Sequence, residues 1–470
     1  MVVLLTVVLY FCVLYVISLL VGKEGNEAFF RGNGESPWPL VAFGMIGASI
    51  SGVTFVSVPG MVMNFDMTYL QMCMGFFFGY LVVAFVLLPL YYRQGLTSIY
   101  SYLGTRFGPS SRKTGAWFFI LSKLTGSAAK LYLVCLIVEQ FTGLPFILVS
   151  SGMLLLIWLY TRRSGIRTLV WTDALQTLCL ITALVLILME VASQLDLNFG
   201  NALRTVWNDP HGKIFEWQDW SSPQHFVKQF VSGIFVVIVM TGLDQDMMQK
   251  NLTCKTLRDG QKDLCTYGLM FLPVNFLFLA LGVLLMALYT KLVMALPDKG
   301  DSLLPHIIDT GFLGTPVLVL FAIGMVASAF SSADSALTAL TTSFCIDLLP
   351  QERVTERVRK VVHLCMMVAF LLVILAVKAV GSSSVIDTIY RLVSYTYGPL
   401  LGLYAFGMTT KWQVHDRWTP FSAVLAPVLC YIVDTTAAAH DYHFGYELLL
   451  LNGLLTFIGL VLSRRKTNNS

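Results

Sequence analysis

The sequence predicts an all-α polytopic membrane protein of about thirteen transmembrane helices, built as a single membrane domain over residues 1–470. Three observations carry the expectation. Hydrophobic residues make up 56% of the chain and charged residues only 12%. Apolar runs of about 20 residues, the length that crosses a bilayer, recur from end to end. Lysines and arginines gather in alternate loops, as they do when every second loop faces the cytoplasm.

Taken in order, the first run covers residues 2–22. It lacks a basic leader and a small-residue cleavage site, so it is expected to stay as a helix rather than be removed as a signal peptide. The second, 37–61, contains "GMIGASISGVTFVSVPG". Gly44, Gly47, Gly52 and Pro59, with Ser49, Ser51 and Thr54, weaken a helix at mid-depth, where unwound carbonyls can face a cavity. Runs at 68–92, 114–142, 145–161 and 168–194 follow, and the segment 195–224, rich in Trp and Asp, is the longest predicted outer loop. Then come 225–249, 264–289, 312–346, 359–380, 384–409, 419–436 and 444–463.

With the N-terminus outside, the odd-numbered loops and the tail hold 22 Lys and Arg, Lys250 among them, against 6 in the outer loops and their margins. The bias predicts an integral protein of the plasma (inner) membrane with its N-terminus outside and its C-terminus in the cytoplasm. No basic patch with interleaved aromatics is present, which argues against a nucleic-acid partner. The nine cysteines are scattered without a CxxC pair and read as small core hydrophobes. The seven histidines lie almost entirely in loops or at run ends, so the chain does not read as an enzyme.

An ionisable side chain within a lipid-embedded helix costs at least about 2.5–3.5 kcal/mol, which makes each one a functional candidate. Those singled out within the runs are Lys123, Lys130, Asp173, Asp334, Asp387 and Arg391. Asp387 and Arg391 stand i, i+4 and can neutralise each other. Lys123 and Lys130 are seven apart and share a face with Ser127; Lys123 either snorkels to the inner surface or serves function from that face. Lys130, near mid-depth and on one face with Ser127, calls for an anion or an internal carboxylate. In "SAFSSADSALTAL", Ser328, Ser331, Ser332 and Ser335 occupy one helical face with Asp334 and Thr338 on its flank. Serines at that spacing serve either close helix packing or a hard-cation site, and a carboxylate is explained only by the second. Na+ needs about five or six oxygens, so further ligands are expected from the interrupted helix.

Five segments resemble the sodium/solute symporter family, nearest in motif to its sialic-acid-type members. "SISGVTFVSVPG" resembles the broken first core helix, "YSYLGTRFG" the YEYLxxRFG loop, "VWTDALQ" the WTDxxQ helix start, "DQDMMQK" the DQxxxQR segment, and "SAFSSADSALTALTTSFCIDLL" the Ser-rich eighth core helix. The resemblance implies a LeuT-like fold of two five-helix inverted repeats, here 37–194 and 225–409, after an extra N-terminal helix (2–22) and before two C-terminal helices (419–463). It implies one Na+ held by the backbone carbonyls of Gly47 and Ile50 and by oxygens of Ser328, Ser331 and Ser332. A second Na+, known in some members, would fall on Asp173, Asp334, Ser335 and the shared Ser331. For the solute it implies Ser51 and Thr54, with Phe55, Cys73 and Lys130 beside them. Two departures, Gly126 in place of an arginine and Cys73 in place of a glutamine, argue against sialic acid itself, while Lys130 restores a positive charge on the same face.

The function expected is therefore sodium-coupled uptake of a small polar solute, anions included, by alternating access, in a protein that works as a monomer among membrane lipids. The alternatives are a proton-coupled symporter of the same fold using Asp173 and Asp334, or a channel or sensor that has lost transport.

Overall fold

The computed structural model describes residues 2–220, 222–380, 383–440, 442 and 444–465, with side chains left aside at 2–7, 141, 380 and 383–394. Each long apolar run forms a helix. α1 spans Val2–Val21. The interrupted run forms α2 (Trp38–Ser49) and α3 (Gly52–Phe65), bent 64° at the break. α4 (Tyr69–Val82) continues through a wide turn into Leu88–Arg93. α5 is Pro109–Thr142, α6 Phe146–Thr161 and α7 Ile166–Gln194. A second bent pair follows, α8 (Phe226–Val237, extended to Gly242) and α9 (Gln245–Asn251), at 72°. α10 is Leu257–Lys291, α11 Gly314–Ser343, α12 Glu356–Val380 and α13 Ser383–Thr409. α14 (Thr419–Ala438) and α15 (Glu447–Leu462) close the chain.

Among the described residues, seven helices are long and apolar enough to cross a membrane, or nine when each bent pair is taken as one span. The expected runs at 2–22, 145–161 and 444–463 correspond to shorter apolar helices, and that at 384–409 to α13. The architecture is all-helical. Among the described residues, β-type pairing is confined to two isolated bridges, Ser36 with Cys254 and Val414 with Arg464.

Burial separates the centre from the rim. Of the most apolar stretch of α11, 67% is buried, against 22% for α14, whose Phe421, Val424 and Val428 are exposed to what a bilayer would supply as lipid. α11 packs against α7, α5 and both halves of the broken helix, so the serine-rich face sits at the middle of the molecule. Close approach there depends on small residues. A side chain at Gly47 would begin 2.2 Å from Thr177 Oγ1, and one at Gly52 2.6 Å from Val134 Cγ2.

Candidate functional site

The break between α2 and α3 has a definite cause. Ile50 and Ser51 are extended (φ −87°, ψ 102° and φ −82°, ψ 165°), and Ser51 caps α3. The cap is reciprocal: the Thr54 amide donates to Ser51 Oγ at 3.3 Å and the Ser51 amide donates to Thr54 Oγ1 at 3.2 Å. In an unbroken helix those two amides would serve the carbonyls of Ile50 and Gly47. The capping box thus withdraws donors from the two carbonyls implied as Na+ ligands, leaving oxygen lone pairs directed at the break.

The serine face of α11 lies against this opening. Ser332 Oγ reaches the Ala48 carbonyl at 3.4 Å, Ser328 Oγ donates to its own helix at the Met325 carbonyl (3.0 Å), and Ser331 Oγ donates to Asp173 Oδ1 at 2.7 Å. α7 steadies the other side, where Thr177 Oγ1 accepts the Gly47 amide at 3.0 Å. Gly47, Ile50, Ser328, Ser331 and Ser332 are therefore gathered where α2, α7 and α11 meet. Ser335 and Asp334 are fully buried one turn further along, and Ser335 Oγ, Thr338 Oγ1 and Asp334 Oδ1 make no hydrogen bond.

Several charges sit differently from expectation. Lys250, counted above as a cytoplasmic loop cation, is buried at the end of α9, with its Nζ 2.7 Å from Asp173 Oδ2. A loop reading fails because the bend before α9 turns this short helix back into the bundle. Lys123 does not snorkel. Its ammonium lies 2.7 Å from Asp246 Oδ2 and 3.2 Å from Asp244 Oδ2, tying α5 to α9. Asp244 caps α9 and also accepts the Tyr397 hydroxyl at 2.6 Å. Asp334 Oδ2 accepts the Tyr160 hydroxyl at 2.5 Å, a partner on α6 that no motif or periodicity marks. The Asp387–Arg391 pair lies outside the described side chains.

Of the residues expected at the solute, Ser51 and Thr54 are together, their hydroxyl oxygens 3.2 Å apart. Phe55 is buried with its ring edge-on to Phe278 (5.3 Å) and Phe321 (5.9 Å). Lys130 is half-buried on α5, one turn before the Val134 that faces Gly52, and among the described residues no carboxylate comes within ion-pair distance of it. Cys73 is buried on α4, which packs chiefly on α8 and α10, so it is not brought against the break.

The remaining motif residues tie helix ends together. Asp347 accepts from Ser98 (2.5 Å), Ser343 (3.1 Å) and Arg112 (2.9 Å). Gln245 accepts the Ile99 amide at 2.9 Å, and Gln249 donates to Thr342 Oγ1 and to the Phe30 carbonyl, each at 2.9 Å.

A helical membrane protein whose central helix opens exactly where a hydroxyl face meets it has the build of a cation-coupled transporter. The chain belongs to the sodium:solute symporter family, whose family model matches residues 29–413. It is 25% identical to the sodium/sialic acid symporter of Proteus mirabilis over 86% of this chain and 83% of that one. It is 24% identical to the human sodium/iodide cotransporter (82% and 62% covered) and to the human sodium-coupled monocarboxylate transporter 2 (82% and 64%). Among solved structures it resembles a substrate-bound, outward-open Na+-coupled sialic acid symporter at TM-score 0.83, with 21% identity and 99% of each chain covered. It also resembles a nucleobase-cation-symport-1 family transporter at 0.60, with 14% identity and 92% and 93% covered. The protein is a sodium-coupled solute transporter of the membrane and not an enzyme.

Proposed function

We propose that this chain carries a small anionic solute inward with Na+ by alternating access across the plasma (inner) membrane. The observation that supports it most is the Ser51–Thr54 capping box, which places two hydroxyls and two under-used carbonyls at one opening. Na+ is held by the Gly47 and Ile50 carbonyls with oxygens of Ser328, Ser331 and Ser332, a hard-oxygen set suited to a hard cation. The solute's anionic group takes the hydroxyl protons of Ser51 and Thr54, and Lys130 supplies the charge. Phe55 forms an apolar wall, and Cys73 lines the site only after α4 moves.

The relatives' names support an anion, since sialic acid, iodide and monocarboxylates share negative charge. Gly126 and Cys73 favour one smaller or simpler than sialic acid. Residues 37–194 and 225–409 act as two inverted repeats, each opening on a bent helix pair, and rock about the central site. Bound Na+ favours the outward-open arrangement by preferring it energetically, and closure over the solute exposes both to the cytoplasm. The N-terminus faces out, the C-terminus faces in, and one chain in lipid suffices.

A thermal-stability screen of the purified protein against lactate, sialic acid, iodide, glucose and proline, in Na+ and in choline, tests the reading. Ligand stabilisation grows as RT ln(1 + [L]/Kd), so an anion should raise Tm in Na+ only. Stabilisation by neutral solutes alone, or equal shifts in choline, contradicts it.

A further inference from the structure

The second cation position implied by the resemblance already holds a cation of the chain's own, on its Asp173 side. Asp173 has both oxygens engaged: Oδ1 accepts from Ser331 Oγ at 2.7 Å and Oδ2 lies 2.7 Å from Lys250 Nζ. The two side chains are 1% and 2% exposed, so the pair is closed to water. Asp334 Oδ2 is occupied by the Tyr160 hydroxyl at 2.5 Å, while its Oδ1 makes no hydrogen bond. A Na+ brought to Asp173 would stand beside a like charge in a low-dielectric interior, where repulsion is strongest.

The lysine is delivered there by rigid parts. α9 begins at the Asp244 cap, whose Oδ1 accepts the Asp246 amide at 2.9 Å and the Met247 amide at 3.3 Å. Gln249, next to Lys250, is fixed by its bonds to Thr342 on α11 and to the Phe30 carbonyl. The stem of Lys250 therefore starts from a held backbone and ends between α7 and α11.

We infer that Lys250 is the resident cation at Asp173, taking the place of a second ion, so that each chain binds a single Na+, at the α2–α3 break. The inference rests on the sodium reading above and deepens it by fixing the ion count. Lys250 is a positioning residue in this account: it sets how many ions bind without touching the solute.

The test is equilibrium binding of 22Na+, with no solute added, to the purified full-length protein in lipid nanodiscs. The wild type should bind one ion per chain along a hyperbolic curve. Lys250→Met, which keeps the apolar stem and removes the charge, should gain a second ion and a steeper curve, whereas Lys250→Arg should stay at one. Two ions on the wild type overturn the inference and leave sodium coupling standing. A Lys250→Met protein that melts cooperatively and still binds one ion also overturns it. If Lys250→Met does not fold, the wild-type count decides alone. A wild type with no saturable 22Na+ binding overturns this inference together with the sodium reading.

Discussion

At the scale of single residues, the buried charges show what a linear reading finds and what it does not. Asp173 and Asp334 were legible because carboxylates in apolar runs are costly. Their partners were not. Tyr160 is one apolar-looking aromatic among many, and Lys250 stands in a charged stretch that hydropathy assigns to a loop. Both contacts join positions far apart in sequence (174 residues for Tyr160 and Asp334), a distance at which periodicity carries no information. Tyr160→Phe removes the hydroxyl donor and leaves Asp334 Oδ2 buried without a partner. The expected cost is about 1–3 kcal/mol, read as a lower Tm of the detergent-solubilised protein. An unchanged Tm would mean that Tyr160 contributes only its ring.

At the scale of elements, the broken helix was the most legible feature, because glycines, a proline and hydroxyls in one apolar run have few other uses. The capping box adds the reason that the break frees the Gly47 and Ile50 carbonyls in particular. Ser51→Ala should cost about 0.5–2 kcal/mol of stability. It should also weaken Na+ binding, because the Thr54 amide can return to the Ile50 carbonyl. Ser51→Thr, which keeps a capping hydroxyl, should retain Na+ affinity, as titrated by Na+-dependent thermal shifts. The second bent pair, α8 and α9, was legible only as the motif "DQDMMQK", and its lock onto α5 through Lys123 was not. Lys123→Met leaves Asp244 and Asp246 without their buried ammonium, a loss of about 3–5 kcal/mol. Adding Asp246→Asn should recover part of that Tm. A double variant less stable than the single one would mean that the pair is not the source of the effect.

At the scale of the whole molecule, composition alone pointed to the helical membrane class, and the order of five motifs to the family, in agreement with the match over residues 29–413. The loop charges predict the orientation, and moving Lys250 from the loops to the core lowers the inner count only from 22 to 21, against 6 outside. A fluorescent protein fused after residue 470 should glow and alkaline phosphatase fused there should be inactive; the reverse pattern would invert the topology. Uptake into proteoliposomes decides whether Na+ bound at the broken helix drives solute entry. The labelled solute is the one that stabilises the protein in the screen above, and outside Na+ is replaced by choline at constant pH. The account predicts that uptake falls to the level of empty liposomes. Undiminished uptake driven by a pH gradient alone would contradict it.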